Sequence, residues 1–377
     1  MYGQPIVVGT TVIAATENDS VYAFDLTTGA VRWRAHLGTP MPGSGLPCGD
    51  ISPLGITGTP AYDQSTGSVF VVAESTGGAH DLVALDASSG ATRWRANLDV
   101  GGHNRVAEQQ RGALAVANGR VYAPFGGLYG DCGDYVGYIT ATPTSGTGTT
   151  THYAVPTARE GGMWAASGPA VAPDGTVYVA VGNGASTGGP YDGSDSVLRL
   201  SPDLSSRLDF FAPAAWAEQN ATDTDLGSTG PLLVAGGLLV QSGKDGNVYV
   251  LDASHLGGIG SAKAHAGGCR GFGGMAADGG AVFVPCTSGV RRFDVTATAI
   301  VAGWRVSATG PPVVGGGAVW SLDTGNGVLH AYDEATGAGL ASARVGAVTR
   351  FTAPVLAGTT AIVGARAAVV AFHIVAA

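Results

Sequence analysis

The stretch AFDLTTGAVRW, residues 23–33, decides the fold. A close copy, ALDASSGATRW, stands at 84–94, and a worn one, AYDEATGAGLA at 331–341, keeps the Asp and the TG but loses the Trp. Each phrase opens on the end of an apolar strand and then turns tightly. The Asp side chain accepts hydrogen bonds from the backbone N–H groups ahead of it, and Gly29 takes the left-handed conformation that other residues avoid. A further strand follows and carries a Trp, whose broad face is suited to covering a neighbouring unit. Trp33 and Trp94 are therefore read as packing residues and the phrase as structural punctuation.

Working outward, the same parts recur along the chain. First strands open with Pro5, Pro60, Pro169, Pro231, Pro312 and Pro354, while two further units open without Pro at ALAVANG (113–119) and MAADGG (275–280). Second strands read TVIAATE, SVFVVAE, RVYAPFG, TVYVAVG, GLLVQSG, AVFVPCT, AVWSLDT and TAIVGAR. The result is eight units averaging about 47 residues, a period in the propeller range. A four-stranded unit of this size cannot bury both its faces alone, and stacking such units in a ring covers them. The expected fold is all-β, an eight-bladed β-propeller of four-stranded antiparallel blades, with residues 1–377 forming one domain. The last unit ends at AFHIVAA (371–377) and lacks an outer strand, whose partner is expected from residues before Met1. A three-stranded final blade with an exposed edge is predicted, a feature that promotes aggregation.

Composition agrees and excludes several classes. Gly contributes 62 of 377 residues and only 12% are charged, which suits many short strands joined by tight turns. The net charge is −9 and no run of Lys or Arg exceeds two residues, so a nucleic-acid partner is not expected. No apolar stretch approaches the roughly 20 residues of a membrane span. No leader is visible before the strand-like YGQPIVVG, and its absence says nothing about compartment.

Four cysteines are present, and none has C-x-x-C spacing. Cys269 precedes the first strand of the sixth unit and Cys286 ends its second, which puts both at one end of adjacent strands. Cys48 and Cys132 fall in loops of one propeller face. The expected pairs are Cys48–Cys132 and Cys269–Cys286, and structural disulfides imply an exported, extracellular or cell-surface protein.

The pattern A-x-D-x-x-T-G-x-x-x-W resembles the tryptophan-docking motif of pyrroloquinoline-quinone (PQQ) dehydrogenases and of the wider PQQ-like repeat family. That family also includes a non-enzymatic scaffold lipoprotein of outer-membrane protein assembly. The stretches LPCGDISPLGITGTPAYD, FGGLYGDCGDY and NATDTDLGSTGP look like a group of exported actinobacterial PQQ-like repeat proteins. The resemblance implies the fold, and PQQ with Ca²⁺ as the cofactors to test. The vicinal Cys pair that lies beneath the quinone in methanol-dehydrogenase-like members is absent, as is C-x-x-C-H for an attached haem.

Loops between blades, and loops between second and third strands, open on one face of a propeller, and here they are long and polar. Functional residues concentrate on such loops. Aligned by blade, Glu108, Gln109, Gln110, Arg111, Arg159, Glu160, Trp164, Asp223, Asp225, Arg270 and Arg350 approach the axis. An Arg-rich funnel with an aromatic platform suits a small polar, anionic or glycan ligand, held by Glu108, Arg111, Arg159, Trp164, Arg270 and Arg350. The same groups could instead only cap blade ends and bridge neighbours. The alternative is an enzyme on this face, either a carbohydrate-active hydrolase or lyase with Glu160, Asp223 and Asp225 as catalytic carboxyls, or a PQQ/Ca-dependent sugar or alcohol dehydrogenase. The residues leave open which reading holds. DTD (223–225) is a weak candidate for a hard cation, Asp223 serves equally well as a cap, and His80 and His103 read as solvated loop residues. A monomer is expected.

Overall fold

In the computed structural model, residues 1–374 are described, and the last three residues of AFHIVAA lie outside them. Eight antiparallel sheets follow one another along the chain: blade 1 (6–36), blade 2 (61–97), blade 3 (108–154), blade 4 (170–212), blade 5 (232–267), blade 6 (276–305), blade 7 (313–344) and blade 8 (354–373). Strand order is sequential within each blade, and the innermost strand of blade 8 touches that of blade 1, closing the ring. Blade 8 has only three strands, Pro354–Ala357, Thr360–Gly364 and Val369–His373, as expected. Residues 1–4 join the two end blades from the inside: the Gln4 side-chain amide donates to Pro354 O at 2.9 Å and its backbone N–H donates to Thr59 Oγ1 at 2.9 Å. Blade 4 gains a short fifth strand, Gly258–Ile259, which pairs parallel to its outer strand.

The second strands form the core. Ser68–Ser75 is buried along nearly its whole length and Ala281–Cys286 throughout, because both of their faces lie against neighbouring blades. One apolar cluster joins Ile13 and Val21 of blade 1 to Val69, Val71 and Val83 of blade 2.

The opening phrase behaves as its chemistry requires. Asp25 accepts from the backbone N–H groups of Thr27 and Thr28, and Gly29 has φ +69°. The Arg32 guanidinium, 2.6 Å from Asp25, holds that carboxyl well below the usual range; Arg93 does the same for Asp86 at 2.7 Å. Trp33 then crosses to the next blade. Its indole N–H donates to Ala87 O at 3.1 Å, and its ring lies so close to Gly90 (φ +72°) that a Cβ there would be 2.4 Å from it. Trp94 covers Gly146 of blade 3 in the same way, and Trp304 covers Gly337 of blade 7 while donating to Glu334 O at 3.2 Å. The third docking Trp escapes the motif because the blade 6 turn, DVTATA, has no TG.

Both expected disulfides are present, with Cα separations of 6.2 Å for Cys48–Cys132 and 5.0 Å for Cys269–Cys286, and no cysteine is free. The first ties the crossover between blades 1 and 2 to a loop of blade 3 across 84 residues; the second closes only 17. Chain-entropy reasoning gives the longer closure about 4–5 kcal/mol and the shorter about 3 kcal/mol. Replacing Cys48 and Cys132 together by Ser is therefore expected to lower the urea midpoint more than replacing Cys269 and Cys286, and the reverse order would contradict it. Trp33→Ala is expected to cost about 3 kcal/mol in the same assay, as for a large core truncation. A loss below about 1 kcal/mol would show that the indole does not hold the two blades together.

Candidate functional site

Loops between blades and between second and third strands enclose a cavity of ≈ 670 Å³ on one face of the ring. Its wall takes Arg111 from the loop entering blade 3, Trp164 from that entering blade 4 and Asp223 from that entering blade 5. Tyr129, Asn183 and Lys244 come from loops within blades 3, 4 and 5, and Arg350 with Phe351 from the loop entering blade 8. A smaller cavity of ≈ 190 Å³ is lined by Tyr2, Thr57, Ser167 and Pro311. Arg111 and Phe351 line both, so their side chains form the partition between the two spaces.

Arg111 is the unusual member. Its guanidinium carbon lies 4.5 Å from the centre of the Phe351 ring, and its Nη2 is buried without a hydrogen-bond partner. Burial pulls its pKa down to about 10, with Arg350 adding to the effect. Arg350 is placed differently: its guanidinium sits 5.0 Å from the Tyr129 ring centre and 5.5 Å from that of Phe351, and its Nη2 meets Asp50 Oδ2 at 2.6 Å. Both partners of that ion pair are more than two-fifths exposed, so it contributes little to stability.

On the opposite wall Lys244 Nζ lies 2.5 Å from Asp223 Oδ1 and 2.6 Å from Asp225 Oδ2, and 5.3 Å from the Trp164 ring centre. Asp223 ends the short helix Trp216–Thr222 in the left-handed conformation (φ +51°), its N–H donating to Gln219 O. Asp225 is wholly buried; burial pushes its pKa up to about 6, against the pull of Lys244. Asp195 lies near it and accepts from the Leu226 N–H at 2.9 Å, its own pKa raised by burial and by the Asp225 charge.

Of the residues singled out from sequence, Arg111, Trp164, Asp223 and Arg350 line the cavity. Asp225 lies beneath Lys244 instead. Glu160 (φ +68°) stands one step back, 2.9 Å from Arg159 and accepting from the cavity-lining Asn183 amide at 3.3 Å; burial raises its pKa and Arg159 opposes the rise. Arg159 also donates to Asp131 O at 2.8 Å. Glu108 is turned away: Glu108–Gln109 pairs as a strand with Gly126–Gly127, which seals its carboxylate in the blade, where Tyr138 donates to it at 3.1 Å. Gln110 is likewise sealed in, donating to Gly112 O at 2.6 Å. Arg270 is exposed outside the cavity and donates to Lys244 O at 2.9 Å. Sequence reasoning missed Lys244, Phe351, Tyr129 and Asp50. Lys244 carried a usable signal, being one of only two lysines in the chain and lying in a loop of the long-loop face.

His80 corrects the expectation of a solvated residue. The strand Ala79–Asp86 begins before it, pairs it with Glu74 and leaves it 0% exposed. Its Nδ1 meets Asp99 Oδ1 at 2.9 Å, its Nε2 lies 3.3 Å from Glu74 Oε2, and its ring stands edge-on to Phe125. His103 is partly exposed, 3.4 Å from Asp134.

The DTD segment does not fit a calcium ion, because the Lys244 ammonium already occupies the space between its two carboxylates, 2.5 and 2.6 Å from them. Among the described residues, no group of three His, Cys, Asp or Glu side chains is placed to hold a metal. Cys286 lines the cavity but is bonded to Cys269, so no vicinal pair faces it.

Residues 17–185, a little under half of the chain, match the family described as outer membrane protein assembly factor BamB. The match is to a model of PQQ-like repeats and is confined to those residues. The quinohemoprotein alcohol dehydrogenase from Comamonas testosteroni is similar in structure, with TM-score 0.74 and 19% identity over 96% of this chain and 69% of that one. BamB from Moraxella catarrhalis gives TM-score 0.68 and 17% identity over 98% and 95% of the two chains. A europium-containing methanol dehydrogenase gives 0.71 and 18% over 96% and 82%. At these identities the likeness establishes the fold alone. No curated protein sequence matches this chain significantly.

Burial disfavours charge on His80, but the hydrogen bond to Asp99 and the adjacent Glu74 carboxylate outweigh it and raise its pKa from 6.5 to about 10. Because the folded value is the higher, the stabilisation is complete below about pH 6.5 and is lost as pH rises through about 10. The His80 ring signals in an NMR titration are expected to stay those of imidazolium from pH 5.5 to 8.5, as the raised value requires. Titration near the ordinary His value would show that the ionic cluster does not exist.

Proposed function

We propose that this protein is an exported, ligand-binding propeller that holds a small anionic molecule in its axial funnel. The carrying observation is Arg111, a permanent cation placed on an aromatic ring at the bottom of the cavity, with a buried N–H group left unpaired. Leaving a charged donor buried and unsatisfied is costly. A carboxylate or phosphate against the cavity side of that guanidinium would supply the counter-charge it lacks, through charge-assisted hydrogen bonds. The surrounding aromatic rings supply apolar contact for the rest of the molecule. Both disulfides are formed, which suits an oxidising compartment, and among the described residues no helix is long and apolar enough to cross a membrane.

The acid–base alternative has less support. Glu160 is paired with Arg159, and Asp223 and Asp225 with Lys244, so none of the three stands free to exchange a proton with a substrate in the cavity. The dehydrogenase alternative draws on the names of structural neighbours and on the funnel's cations and rings; the pairing of Asp223 and Asp225 with Lys244 speaks against its calcium.

Titration calorimetry with inorganic phosphate, acetate and citrate, against neutral glucose, tests the proposal. At least one anion is expected to bind, with affinity falling as salt rises. Arg111→Met is expected to weaken it roughly 10- to 100-fold, the loss of one charge-assisted hydrogen bond, without lowering the melting temperature. Glucose binding that Arg111→Met leaves unchanged, with no anion bound, would overturn the reading. Added PQQ and Ca²⁺ with dye-linked turnover would restore the dehydrogenase alternative.

A further inference from the structure

The charges around the funnel restrict the ligand beyond its sign, and this step rests on the anion-binding reading. Three cations reach the wall, Arg111, Lys244 and Arg350. Two of them already have internal partners. Lys244 is held between Asp223 and Asp225 at 2.5 and 2.6 Å, and Arg350 is held by Asp50 at 2.6 Å. Asp131 adds another carboxylate to the wall, accepting a hydrogen bond from Tyr135. Only Arg111 has no carboxylate within ion-pair distance among the described residues, and its Nη2 is also without a hydrogen-bond partner. A second negative group on the same ligand would have to displace Asp50 from Arg350 or face Asp131 and Asp223.

The shape of the site supplies the other half. The Phe351 ring lies beneath the Arg111 guanidinium, 4.5 Å from it, and Tyr129 and Trp164 stand on the walls. Phe272 adds a further ring. A flat unsaturated body held by its carboxylate on Arg111 would share the cavity with these rings, and a saturated body of the same size would gain only area.

We propose that the funnel is selective for aromatic monocarboxylates, and that Asp50 is the specificity residue that occupies Arg350 and so rejects a second carboxylate. Asp50 is well placed for this. It lies two residues from Cys48, whose disulfide to Cys132 fixes the loop against the blade 3 loop carrying Tyr129 and Asp131. The carboxylate is thereby held at the mouth by the frame, so a competing ligand group must displace a tethered anion.

The test compares benzoate, cyclohexanecarboxylate, isophthalate and benzene-1,3,5-tricarboxylate by calorimetry on the wild type, Asp50→Asn and Arg111→Met. In the wild type benzoate is expected to bind about three- to tenfold more tightly than cyclohexanecarboxylate, the gain of ring contacts. Isophthalate and the tricarboxylate are expected to bind no better than benzoate. Asp50→Asn frees Arg350 and is expected to improve isophthalate roughly tenfold relative to benzoate, as one released ion pair allows. Asp50 and Arg350 are both at the surface, so the variant should fold, and an unchanged melting temperature verifies it. Tighter binding of the tricarboxylate than of benzoate to the wild type would overturn the inference while leaving anion binding intact. So would an Asp50→Asn protein with unaltered preference. Failure of all four acids and of the simple anions, in the wild type and Arg111→Met alike, would remove the anion-binding reading itself.

Discussion

The architecture depends on a tryptophan pressed against a glycine of the next blade. A four-stranded sheet leaves its outer strand half exposed, and in blades 1, 2 and 6 Trp33, Trp94 and Trp304 reach from that strand across to a turn of the next blade. The contact works because the turn residue has no Cβ and adopts a positive φ, so one glycine both reverses the chain and admits the ring. The indole N–H of Trp33, and that of Trp304, is satisfied at the same place by a carbonyl of the receiving turn. Burial of a large apolar face without loss of its polar group makes this an effective fastener between repeated units.

Fastening one face of the ring leaves the other free. The turns that receive the tryptophans are short, and their Asp residues are occupied by local N–H groups and by arginines of the same blade, as at Asp25 and Asp86. The opposite loops are long, and their charged groups interact across blades: Asp50 with Arg350, and Asp223 and Asp225 with Lys244. Both disulfides have at least one member in those loops, and Cys286 itself lines the cavity. The ring therefore supplies a rigid mouth, in which ion pairs between blades fix where each charge stands.

Much of this could be read from residues. The D-x-x-T-G phrase, the Pro-led inner strands and the apolar second strands carry the blade count, the three-stranded last blade and the disulfide pairs, because local turn chemistry and strand periodicity are short-range properties. The docking role of Trp304 was hidden because its own turn has a different sequence. Glu108 was misplaced for a related reason: EQQR reads as a polar loop, yet it pairs with Gly126–Gly127, and only the partner strand decides which way Glu108 faces. His80 was lost likewise to pairing that carries the strand beyond its apolar core. Lys244 and Asp50 could not be assigned to Asp225 and Arg350, since the first pair depends on how the loop entering blade 5 meets a loop within it, and the second, 300 residues apart, on ring closure.

Arg111 separates the structural from the functional reading of the funnel. A residue whose task was only to fill the gap above Phe351 would be better as Met or Leu, which bury the same space without desolvating a charge. A residue whose task was to join blades would carry a carboxylate partner, as Lys244 and Arg350 do. Arg111 has neither property. Its attraction to the Phe351 face contributes about 0.5–2 kcal/mol, and its Nη2 stays buried without a partner. That unpaired group belongs to one of the two residues that line both cavities. On the proposed reading an arriving anion compensates this charge, so that the stable frame holds a site in readiness.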